Sequence, residues 1–135
     1  MDISTIYTTL TTRLKTVTSL PTVQEENNRT NLKTSFSRAT IIPARTNILT
    51  LGPNGINQVR GIYQVDLFIL ADSSYVSGYA LTDSILQKFI AGTTLSGIKI
   101  DNAYTLPSQQ TSIPNYHMFS VAVEWSSYEE RGNII

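Results

Sequence analysis

At 135 residues the chain has the size of one domain, and at that length roughly 68% of the unfolded surface can be buried, enough for a single core. Hydrophobic residues make up 41% and charged residues only 15%, against a usual charged share of about 25%, with Ser, Thr, Asn and Gln filling the difference. Ten basic residues balance ten acidic ones and there is no cysteine, which excludes an overall field for nucleic acid or anionic lipid, a disulfide framework, thiolate metal sites and cysteine nucleophiles.

A weakly charged polar surface favours self-association. The longest purely apolar run, Leu67 to Ala71, is far below the roughly 18 residues that span a bilayer, and Met1-Asp2 is not a basic signal-peptide start. The expectation is a soluble protein, made and kept in the cytoplasm or carried in an assembly.

Ile3, Ile6, Tyr7, Leu10, Leu14 and Val17 recur at steps of three and four. They predict an amphipathic helix that starts near Asp2 or Ser4 and is closed by Pro21. Thr8, Thr9, Thr11, Thr12 and Thr16 fall on its exposed side, and because threonine is a poor helix former the helix must be held by docking its apolar stripe. Thr22 to Glu26 reads as a short strand and Asn27 to Thr34 as a polar loop.

Phe36 to Ile42 and Asn47 to Leu51 are β-branched strand segments interrupted at Pro43, which cannot donate to a ladder and so marks a bend, a bulge or an edge. Gly52 to Asn57 is turn chemistry. From Val59 to Leu70 a long strand places Val59, Gly61, Tyr63, Val65, Leu67 and Ile69 on a buried face, and Arg60, Ile62, Gln64, Asp66 and Phe68 on a mixed one. After the breakers Asp72-Ser73-Ser74, a second helix runs to about Ala91 with Gly92 as its stop. Tyr79, Leu81, Ile85, Leu86, Phe89 and Ile90 form its apolar side, with Asp83, Gln87 and Lys88 opposite. Two more strands follow, one around Ile98 and Ile100 and one from His117 to Trp125, joined by a loop at Pro107 and Pro114. The pattern stops at Tyr128, which divides the chain into a domain over 1–128 and a mobile tail over 129–135.

This order lacks the regular alternation of a parallel sheet. It predicts an α+β fold: a single domain with a mainly antiparallel sheet, the N-terminal helix and a second helix packed on one face.

Residues with active-site chemistry are almost absent. His117 is the one histidine, so a multi-histidine metal site is impossible, and on its strand it reads as a hydrogen-bonded structural or interface histidine rather than a general base. Glu25-Glu26 and Glu129-Glu130 are neighbours that point to opposite faces of a strand, so neither pair makes a site. Gly52, Gly55 and Gly61 lead into a strand, without the spacing or the following helix of a phosphate loop. Arg38, Arg45 and Arg60 are interleaved with aliphatic residues and have no aromatic platform for single strands. Asp66 sits in a strand body and wants a partner, which Arg38, Arg45 or Arg60 could supply inside a subunit or across an interface. No cofactor is implied.

Certain residues in order resemble the tail terminator proteins of long-tailed bacteriophages. They are the N-terminal helix, Glu26-Asn27, Ser37-Arg38-Ala39-Thr40-Ile41-Ile42-Pro43-Ala44 leading to Leu51-Gly52, and Gly61-Ile62-Tyr63-Gln64-Val65-Asp66-Leu67-Phe68-Ile69. The Ala80-Leu81-Thr82-Asp83-Ser84-Ile85 helix and Val121-Ala122-Val123-Glu124-Trp125 complete the set, so the likeness runs from about Ile3 to Tyr128.

The resemblance implies a structural protein and not an enzyme. It would be a subunit of a homo-hexameric ring on the last ring of the major tail tube protein. Its partners would be that tube, the head-tail connector or stopper protein and the tape-measure protein, with viral DNA passing through the lumen without sequence readout. It would work in the virion neck after assembly in host cytoplasm. A ring needs a closing heterologous contact. The residues expected to make it are Arg38, Arg45, Asn54, Arg60 and Asp66, with Ile62 and Phe68 on the mixed face, Ile56 at the hairpin tip and Ile134-Ile135 on the tail. The alternatives are another neck protein (a head completion or connector protein) and, from a different class, a small hydrolase or ligand-binding domain using His117.

Overall fold

A computed structural model describes residues 3–17, 35–48, 55–70, 75–110 and 116–130 of the chain. Helix α1 (Ile3–Lys15) precedes strands β1 (Phe36–Ile48) and β2 (Ile56–Leu70); helix α2 (Tyr75–Lys88) then leads to β3 (Thr94–Leu95), β4 (Ile98–Gln110) and β5 (Tyr116–Glu130). All five strands form one antiparallel sheet in the order β1-β2-β5-β4-β3. The α+β architecture read from the sequence is the one found.

Period-two patterning decides which way the sheet faces. Tyr63, Val65, Leu67 and Ile69 on β2 lie beside Val123, Val121, Phe119 and His117 on β5, and this face meets Ile6, Leu10 and Leu14 of α1 and Ile85 and Phe89 of α2 in one core. Burying each of these large side chains contributes about 1.5–3 kcal/mol, which compensates for the weak intrinsic helicity of threonine-rich α1. Trp125 and Tyr63 are the largest side chains that are fully enclosed. A smaller cluster lies at one end of the opposite face, where Phe36 and Phe68 stack at 4.7 Å and Tyr116 meets Phe36 edge-on.

Several sequence expectations are corrected. Thr11 is buried, not exposed, because its hydroxyl pairs with the Tyr63 hydroxyl at 2.8 Å beneath the helix. Burial pushes the Tyr63 phenol far above the ordinary tyrosine range, and the bond to Thr11 pulls it partly back. Helix α1 ends at Lys15, where Thr16 and Val17 bond back to Arg13 and Leu14 in a closing turn. Helix α2 ends at Lys88 rather than near Ala91. Its last carbonyl accepts a 3.0 Å hydrogen bond from Arg13 Nε, and the chain then turns so that Gly92, at φ +93°, pairs with Ile100. Tyr79 and Ile90, placed on the apolar side of α2, are 54% and 58% exposed.

The first strand is continuous through Pro43, which sits on the sheet's edge beside a register shift between Pro43 and Arg45. Strand β4 runs through Pro107 to Gln110, past the expected loop, and β5 runs two residues beyond Tyr128. The short strand expected at Thr22 to Glu26 and the tail from residue 131 lie outside the described residues.

Candidate assembly interface

Since α1 and α2 both pack on one face, the other face of the sheet is where a surface can be read from register. Paired residues of antiparallel strands share a face. Successive rows across the strands are therefore Phe36, Phe68 and Met118; Arg38, Asp66, Ser120 and Leu106; Thr40, Gln64, Ala122 and Tyr104; and Ile42, Ile62, Glu124 and Asn102. Beyond these come Arg45, Arg60, Ser126 and Lys99, then Gln58 with Tyr128, then Ile56 with Glu130.

Asp66 is the polar centre of this face. Its Oδ1 accepts from Ser120 Oγ at 2.6 Å and from Gln64 Nε2 at 3.0 Å, while Oδ2 accepts from Arg38 Nη2 at 3.1 Å. The Arg38 guanidinium also lies 5.2 Å from the centroid of the Phe68 ring. The partner expected for Asp66 is thus Arg38, within the subunit. With Asp66 only 3% exposed, the carboxylate serves the fold, and a role for it across an interface is set aside. Phe68 is corrected in the same way, since Phe36 and Tyr116 already cover it.

The remaining site residues divide by position. Arg60 is exposed and Ile62 half-buried, both on the helix-free face, and Ile56 is exposed near the far end of β2. Arg45 stands opposite Arg60 in register, with its side chain outside what the structure describes. Asn54, Ile134 and Ile135 lie outside the described residues.

Sequence reasoning missed the apolar content of this face. Ile42, Tyr104 and Tyr128 are exposed there together with Ile56, and they account for four of the six large hydrophobic residues exposed to solvent among the described residues. The sequence reading singled out Ile56, at a hairpin tip, but not the others; the structure makes it the first residue of β2. Tyr104 follows a register shift between Ile100 and Asn102, and Tyr128 lies where the pattern had ended. His117 is half-buried in register with Ile69 and Gln110, and it makes contacts of its own. Among the described residues no three His, Asp or Glu side chains gather to hold a metal ion, and no helix is long and apolar enough to cross a membrane.

The family model for the phage tail terminator protein matches residues 5–125. No curated protein matches the sequence. A solved structure matches over 100% of this chain and 99% of its own, with a TM-score of 0.64 and 16% identity, which establishes a shared fold.

Proposed function

This chain belongs to the phage tail terminator family, a family of structural tail proteins, and from that premise we propose that it forms a ring capping the tail tube. The cap acts by occupancy. It covers the tube's last ring, removes the site for the next tube subunit at the length set by the tape-measure protein, and offers a different surface to the connector below the head. Nothing in this action needs bond-making chemistry.

The observation that best supports the reading is that Ile42, Ile56, Tyr104 and Tyr128 are all exposed on the sheet face that neither helix covers. Large exposed apolar residues on one face mark a surface meant to be covered, and exposed Arg60 beside them can set the register of the contact. Ring subunits assembling in host cytoplasm and retained in the virion neck fit a chain with no net charge, which does not repel its own copies.

Electron microscopy of tube protein from the same genome, polymerised with and without this chain, tests the reading. An added terminal ring and arrested growth are expected. Tubes that elongate unchanged beside folded, unbound chain would remove the capping function and favour the connector.

A further inference from the structure

Edges decide how sheet proteins meet, since an uncovered edge strand is a template for another chain. In β4 the inner side pairs with β5, and β3 covers only Ile98 and Lys99 of the outer side. Ile100 is covered as well: its N–H donates to the Thr93 carbonyl at 2.8 Å and its own carbonyl accepts from Gly92 N at 2.7 Å. The backbone groups of Ile100 therefore point away from β5.

Antiparallel pairing alternates, so beyond the register shift the outward positions are Ala103, Thr105 and Pro107, while Asn102, Tyr104 and Leu106 turn their backbone groups to β5. Among the described residues no strand pairs with this outer side. Two of these three positions nevertheless offer no N–H to an incoming strand. The Ala103 N–H donates to the Asn102 side-chain Oδ1 at 2.9 Å. Pro107 has no N–H, and it stands where the register shifts again, between Leu106 and Gln109. Between the shift after Ile100 and Pro107, the Thr105 N–H is the outward donor that no strand among the described residues pairs.

We propose that Asn102 and Pro107 guard the outer edge of β4 against strand addition, so that copies of this chain associate without extending the sheet through β4. The inference takes the ring reading as its setting and sharpens it: subunits meet through side chains on the helix-free face, and a ladder from β4 of one copy to a strand of the next does not form. An open edge would offer a second, heterologous contact, and one whose rotation does not close adds copies without stopping at a ring.

The full chain with Asn102→Ala, alone and combined with Pro107→Thr, tests this. In the single variant, at an exposed position, amide exchange of Ala103 should accelerate roughly fivefold to tenfold, the loss of one hydrogen bond. Unchanged exchange would put that amide on β5 and overturn the guard. The folded double variant should gain mass with concentration in sedimentation, beyond anything the parent shows. A folded double variant with the parent's mass at every concentration also overturns the proposal. The parent's own mass and its effect on tube length are read separately. A parent that neither assembles nor caps tubes removes the ring reading, and the variants still decide the guard.

Discussion

Ser120 on β5 donates a 2.6 Å hydrogen bond to Asp66 on β2, joining the two central strands through side chains as well as through their backbone ladder. Because Asp66 is buried and held by three donors, removing it strands Ser120 and Gln64 and leaves Arg38 without its counter-charge. Asp66→Ala is expected to destabilise the chain by about 2–4 kcal/mol, and Arg38→Ala by only about 1 kcal/mol, since the Arg38 side chain is 38% exposed and the carboxylate keeps its other two donors. Denaturant midpoints would show it, and equal effects of the two substitutions would contradict the hierarchy.

Arg60 offers a substitution that tests assembly apart from folding. It is exposed and forms no ion pair among the described residues, so Arg60→Glu should change the unfolding free energy by less than about 0.5 kcal/mol. The same substitution should reduce ring yield and tube capping several-fold. A variant that caps tubes as the parent does would take Arg60 out of the interface.

The Thr11 and Tyr63 hydroxyls form a closed pair, 2.8 Å apart, between α1 and β2. Tyr63→Phe leaves Thr11 buried without its partner and should cost about 1–3 kcal/mol, whereas the double change Thr11→Val with Tyr63→Phe should recover much of that loss. A double-mutant cycle from thermal unfolding measures the recovery. Strict additivity would show that the pair is not coupled.

Alkaline pH probes the same phenol. The Tyr63 pKa is raised in the folded state, first by burial, so above pH 10 the unfolded chain releases a proton that the folded chain retains. The stabilisation is complete below the unfolded pKa and falls as pH rises toward the folded one, by about 1.4 kcal/mol per pH unit for one fully displaced group. Unfolding free energies between pH 9 and 11 should fall less steeply in Tyr63→Phe than in the parent. Parallel curves would assign the alkaline loss to other tyrosines.

Two glycines admit no side chain. A Cβ on Gly61 would stand 2.5 Å from Trp125 Cζ2 and 2.7 Å from the Ile42 carbonyl oxygen, and one on Gly78 would run into the buried Phe119 ring. For Gly78→Ala the overpacking cost of about 1–3 kcal/mol exceeds the roughly 1 kcal/mol gained in helix propensity. Both alanine variants should melt several degrees below the parent. A rise in melting temperature for Gly78→Ala would mean that Phe119 yields easily.

Legibility in the sequence followed the strength of local pattern. Alternation from Gly61 to Ile69 and from Phe119 to Trp125 identified both central strands and the faces that α1 and α2 cover. Pro43 announced the edge and its irregularity. What escaped was set by partners distant in sequence. Thr11 looks like any helix-surface threonine until Tyr63 is placed beneath it, and Phe68 looks like a docking residue until Phe36 and Tyr116 arrive. Arg38 could be named as one of three partners for Asp66, but only the strand register selects it.

The strand in the middle of the sheet, β5, is the last of the described strands along the chain. Its partners on β2 are from 46 residues away, for Leu70 with Tyr116, to 74 away, for Ile56 with Glu130. During synthesis β2 has only β1 beside it, β4 lacks its long partner, and Val65, Leu67, Ile98 and Ile100 cannot be enclosed until the final segment leaves the ribosome. Nascent chains stalled before Tyr116 should stay protease-sensitive, and those extended far enough for Glu130 to clear the exit tunnel should become resistant; early resistance would contradict this order. A product cut short therefore has no middle to its sheet. Such a product lacks the ladder that joins β2 to β4.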